Sequence, residues 1–162
     1  MDISISINSG FQDEFRIILS PFENSIIPDE IRSLLGESIE IADITLERVK
    51  GDNPTNINIL LKISSIIAEI FEDNPNLILY FYCDDMHDIL RRDKKITPQK
   101  FRSKLFSRMF DKYITSNKIK NIINTSIEIK ADRTIYIHLI AREAHLPYVT
   151  AIKDVIVEMS SK

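Results

Sequence analysis

The chain has 162 residues, a formal net charge of −3, 44% hydrophobic and 28% charged residues, which is the make-up of one globular α+β domain spanning 1–162, large enough to bury a core without covalent staples. A single cysteine, Cys83, excludes an internal disulfide framework and a multi-cysteine zinc site. No apolar run approaches the roughly 20 residues of a membrane-spanning helix, and Met1-Asp2-Ile3-Ser4-Ile5 lacks the basic head and apolar stretch of a signal peptide, so a cytoplasmic location is expected.

Met1 to Ile7 alternates apolar residues with serine and predicts a strand with one wet face. Asn8-Ser9-Gly10 is a turn, and Glu14 to Phe22 is the hairpin partner. Pro28 to Leu35, closed by Gly36, predicts a short helical turn. Ile39, Ile41, Ile44 and Leu46 predict a third strand whose alternation slips at Ala42-Asp43, as at a bulge. Thr55 to Asp73 is a long amphipathic helix, with Ile59, Ile63, Ile66, Ile67, Ile70 and Phe71 on its apolar side. Asn74-Pro75 stops it.

Leu77 to Tyr82 is unbroken apolar sequence, the mark of a strand covered on both faces. Thr97 and Pro98 supply an N-cap and first position for a second long helix, running to about Ile114. Ile122 to Lys130 and Thr134 to Ala141 predict a hairpin turning at Ala131-Asp132, and Pro147 to Met159 a closing helix. The order β-β-β-α-β-α-β-β-α fits a largely antiparallel or mixed sheet with helices packed on it. If the third and fourth strands are parallel, the helix between them is a crossover.

Charge is strongly segregated. Residues 1–90 carry 5 basic and 17 acidic side chains, residues 91–120 carry 11 and 2, and the remainder balance. Lys100, Lys104, Arg108 and Lys112 recur every four residues and form one stripe on the second long helix, which Arg91, Arg92 and Lys95 extend into the preceding loop. The stripe is a candidate surface for a macromolecular partner or for nucleic acid. It also fits a solvated helix face paired with the acidic half.

Phe101, Leu105, Phe106, Met109, Phe110 and Tyr113 define the expected apolar arc of that helix, and Arg102 falls near its middle. A guanidinium there needs a partner or a route to water. The nearest anions follow the fourth strand, in Cys83-Asp84-Asp85-Met86-His87-Asp88. Arg102 with Asp84, Asp85 or Asp88 is therefore a candidate structural ion pair, or an anion or metal site.

Other chemistry is thin. His87, His138 and His145 lack metal-ligand spacing, Cys83 reads as a buried small hydrophobe, and no phosphate loop, dinucleotide fingerprint or serine-histidine-aspartate pattern is present. Glu128-Ile129-Lys130 is the Glu-x-Lys half of a metal-dependent nuclease motif without the upstream aspartate. No cofactor is expected, and the aromatic residues from Tyr80 to Phe110 are read as core.

Tyr80-Phe81-Tyr82-Cys83-Asp84, a charged loop, and then Arg102, Leu105, Phe106, Arg108 and Phe110 resemble a family of small uncharacterised bacterial proteins, domain of unknown function 6169, seen mainly in Bacteroidetes. Phe71 and Asn74 before the fourth strand fit the same pattern, while Met109 stands where family members tend to have Trp. The resemblance implies an α+β fold and interest in Asp84 and Arg102, and it brings no activity. The expectation for function is a small non-enzymatic protein that binds another macromolecule, foremost a protein or a second copy of itself. The alternatives are a nucleic-acid binder and a metal- or phosphate-using enzyme centred on Asp84, Asp88 and Arg102.

Overall fold

The computed structural model describes residues 3–8, 14–22, 29, 33, 39–50, 57–83 and 93–160. Period-two patterning builds its N-terminal half. β1 (Ile3–Asn8) and β2 (Glu14–Pro21) form the expected antiparallel hairpin, with Ile5 opposite Ile17 and Ile7 opposite Phe15. Phe15, Ile17 and Leu19 are buried on one face of β2, and the alternate residues are not. Of the helical turn expected at Pro28 to Leu35, only Asp29 and Ser33 are described. Both are helical, and Ser33 Oγ donates to the Asp29 carbonyl at 3.0 Å.

β3 (Glu40–Lys50) pairs antiparallel with β2. The bulge expected at Ala42-Asp43 is absent: pairing runs unbroken from Pro21 opposite Ala42 to Phe15 opposite Arg48, and the register shifts only beyond, where Glu14 meets Lys50. The slip in the apolar pattern has another cause. β3 lies inside a six-stranded sheet and buries both faces, Ile41 into one core and Ala42 and Ile44 into the other.

Helix α1 (Ile57–Asp73) buries Ile59, Ile63 and Phe71 and exposes Asn58, Lys62, Ser65, Glu69 and Glu72. It leads to β4 (Leu77–Tyr82), which lies parallel to β3 with Ile41 opposite Ile78. Leu77, Ile78 and Leu79 are at most 1% exposed, and burial fades to 38% exposure at Tyr82. β5 (Ile122–Ile129) and β6 (Ile135–Arg142) form the second hairpin, and β6 docks antiparallel on β4. The sheet order is β1-β2-β3-β4-β6-β5. α1 and helix α2 (Pro98–Ser116) cover one face, and helix α3 (Leu146–Ser160), entered through the 3-10 turn Glu143–His145, covers the other with Val149 and Ile152.

The ends of α2 follow from its sequence. Thr97 Oγ1 accepts from the Lys100 amide at 3.3 Å, with Pro98 at the first helical position. At the other end the Lys118 amide donates to Thr115 and the Ile119 amide to Ile114, closing a Schellman motif. Lys118 occupies the left-handed position, with φ 50°, where a β-carbon crowds the backbone.

Arg142, the last residue of β6, reaches across to the end of α1. One guanidinium nitrogen donates to the Asn74 and Pro75 carbonyls at 3.2 and 2.9 Å, the other to the Phe71 carbonyl at 2.7 Å. The guanidinium carbon stands 4.2 Å from the centroid of the Phe71 ring. A cation here satisfies orphan carbonyls and opposes the negative end of the helix dipole.

Two stability outcomes follow. Arg142→Met is expected to lower the unfolding free energy by about 2 kcal/mol, since charge-assisted hydrogen bonds are lost and the carbonyls are left to water. Lys118→Gly is expected to raise it by about 1 kcal/mol by relieving the left-handed β-carbon. Urea midpoints with unchanged m-values check both.

Candidate functional site

α2 presents two different chemistries on opposite sides. On the outer side Lys100, Lys104, Arg108 and Lys112 are all exposed, as is Lys95 ahead of the helix. Among the described residues, none of the four helix cations is in an ion pair. Arg91 and Arg92 lie outside the described residues.

The inner side differs from the expected arc. The buried residues of α2 are Gln99, Ser103 and Phe106, while Phe101 and Leu105 are half-buried. The helix is turned so that two polar side chains meet polar partners under it. Gln99 Nε2 donates to the Thr134 carbonyl at 3.1 Å. Ser103 Oγ lies 2.9 Å from Nε2 of His138, which is 0% exposed on β6. His138 Nδ1 lies 2.9 Å from Asn124 Oδ1, and Asn124 Nδ2 donates to Ser107 Oγ at 3.4 Å. That amide donation turns Oδ1, an acceptor, toward the ring, so Nδ1 carries the proton and Nε2 accepts from the Ser103 hydroxyl. Phe106 packs beside the ring at 4.9 Å and stacks on Phe81 at 4.5 Å.

Serine, imidazole and amide stand in the order of a nucleophile, its base and an orienting group. Here burial pulls the His138 pKa down to about 4, and Ser103 is only 8% exposed. A base this weak, with its ring closed to solvent, serves packing rather than proton transfer to a substrate. Cys83 is equally closed at 0% exposure. Burial pushes its thiol up to about 12, against the nearby Arg102 charge and a hydrogen bond with Ser103, so it stays a thiol at neutral pH.

Arg102 is half-buried and close to Cys83. Its expected partners Asp84, Asp85 and Asp88 lie outside the described residues, as does His87. Glu128 is exposed on β5 and hydrogen-bonds Tyr136, and no group of three or more metal-ligating side chains gathers among the described residues. The aromatic mass is largely core, with Tyr82 exposed at its margin. On the opposite face of the sheet, burial first and then the charge of the adjacent Asp43 push Tyr80 up to about 12.

Between α1 and α2 an apolar cleft of about 60 Å3 opens over Leu79 and Ile140, walled by Ile67, Phe71, Met109 and Phe110, with Ser64, Glu72 and Tyr113 the polar members. Burial first, then the charges of Glu72 and Glu69, raise the Tyr113 pKa.

The chain matches no family model and no curated protein.

The sequence reading missed Gln99, Ser103, Asn124 and Arg142. Gln99 and Ser103 carried a legible signal, being one helical turn apart on the arc that holds Phe106 and Phe110. Asn124 becomes a partner of His138 only through the β5–β6 register, and Arg142 reaches Phe71 only through the tertiary fold.

His138 makes stability pH-dependent. Its folded pKa lies below the usual 6.5, so the unfolded chain binds the proton more tightly. The contribution is complete above about pH 6.5 and is lost as pH falls toward 4, amounting to roughly 3 kcal/mol. Urea titrations between these pH values are expected to show that loss in the parent and a smaller one in His138→Phe, which takes no proton.

Proposed function

We propose that this is a small non-enzymatic protein of the cytoplasm that binds another macromolecule, foremost a protein, through the cationic row of α2, and that its kinship lies with domain of unknown function 6169. The observation that carries the binding surface is the shared exposure of Lys100, Lys104, Arg108 and Lys112, with no ion pair to any of them among the described residues. Over twelve residues the row extends roughly 18 Å at 1.5 Å per residue, the length of a short acidic helix or strand. Such a charged face steers encounter and selects an acidic partner more than it adds raw affinity.

A protein partner is favoured over nucleic acid by the rest of the charge. The chain is net −3, and its first 90 residues carry 17 acidic against 5 basic groups, which repel an extended polyanion. The same exposed row keeps nucleic acid as the second reading. The enzyme reading rests on Asp84 and Asp88 beside Arg102, and both aspartates lie outside the described residues.

Fluorescence anisotropy against an acidic helical peptide and against short single- and double-stranded DNA and RNA, at about 50 and 200 mM salt, separates the readings. The peptide is expected to bind, and Lys104→Glu/Arg108→Glu to weaken it at least about tenfold. Salt-steep binding of nucleic acid that exceeds peptide binding and is lost in the same variant moves the second reading to the front. Binding of neither probe at low salt overturns the role of the row.

A further inference from the structure

The sheet has two edge strands, and they differ in how they are protected. β5 carries an exposed charge, Glu128, near its end. β1 has no charge, no proline and no bulge from Ile3 to Asn8, and among the described residues nothing pairs with its side away from β2. Charges, prolines and bulges are the usual devices that keep an edge strand from pairing with another chain. β1 lacks all three.

Its sequence also states what it would pair with. Ile3-Ser4-Ile5-Ser6-Ile7 reads the same in both directions. Two antiparallel strands related by a two-fold axis face each other in reversed order, so a palindromic strand is complementary to itself. With Ile5 on the axis, Ile5 meets its own copy, Ser4 meets Ser6, and position 3 meets position 7. Like then faces like on both faces of the sheet, and a slip by one residue would set serine against isoleucine.

Burial along β1 points the same way. Ile7 is 2% exposed and belongs to the core, whereas Ile5 packs on that core and is only half-buried. Ser4 and Ser6 are exposed on the other face. The apolar layer under α1 therefore runs out to the sheet edge and stops at a strand able to continue it.

We propose that β1 is a docking edge for β1 of a second copy of this chain, joining two six-stranded sheets into one of twelve strands. The axis runs perpendicular to the sheet, so both copies keep α1 and α2 on the same side. The two β6 strands, each beneath its own α2, are then nine strand spacings apart, on the order of 40 Å. The two cationic rows face one side of the dimer, and a partner engaging both gains by avidity.

Sedimentation equilibrium of the full chain over a wide concentration range tests this. A monomer–dimer equilibrium is expected. Ser4→Lys/Ser6→Lys places lysines against lysines across the axis at exposed positions, and is expected to weaken dimerisation at least about tenfold while the circular dichroism spectrum is retained. Mild oxidation of Ile5→Cys is expected to link two chains, since residue 5 meets its own copy; Cys83 is buried and free. A monomer at every concentration, a dimer that the lysine pair leaves unchanged, or no cross-link from Ile5→Cys overturns the proposal.

Discussion

A buried imidazole has two nitrogens, and both must find partners. His138 finds them in Ser103 above and Asn124 beside it. This requirement sets how α2 lies on the sheet. Ser103 must point at β6, so Gln99 and Phe106, on the same side of the helix, go inward with it. The four cations half a turn away are then carried outward as a set. The outer chemistry of the helix is thus a consequence of the inner one. An apolar contact would leave the rotation of α2 free to drift, because dispersion and area burial are not directional, whereas hydrogen bonds to two fixed nitrogens are.

Arg142 does similar work for α1. Its fork ties the last carbonyls of that helix to the end of β6, and its flat face lies on Phe71. Each helix on this face is therefore anchored to β6 by a polar side chain placed among apolar ones, while α3, on the opposite face, is held by Val149 and Ile152. The apolar cleft lies between the two anchored helices. Helices fixed independently to one strand need not close fully on each other, and the gap follows from where the anchors stand.

Much of the fold was legible because its signals are local. Alternation announced β1 and β2, the Thr97-Pro98 pair announced the start of α2, and the unbroken run from Leu77 announced a strand covered on both faces. What misled was a pattern with two causes. The broken alternation at Ala42-Asp43 looked like a bulge and is instead a central strand serving two cores. The site was legible on its outer side, where spacing alone lines up Lys100, Lys104, Arg108 and Lys112. Its inner side was legible only for Gln99 and Ser103, which share one arc of α2; their partners come from β5 and β6, and only the pairing of those strands brings Asn124 within reach of His138. Arg102, expected near the middle of an apolar arc, is half-buried beside Cys83 on a helix that turns Gln99, Ser103 and Phe106 inward.

The position of β4 also bears on how the chain assembles. β1, β2 and β3 follow one another in sequence and space, and β5 and β6 form a hairpin of their own. Both groups draw on short-range contacts, which form early because little loop entropy is lost. β4 lies between them and pairs with both, Leu79 meeting Ala42 on one side and Ile140 on the other. Those pairings close the longest loops in the sheet. Until β4 is seated, β6 has no neighbour on that side, α2 has no complete floor, and Phe81 is not in place to stack on Phe106. Seating this single six-residue strand thus closes the largest loops of the sheet, and the floor that orients the cationic face is complete only with β4 in place.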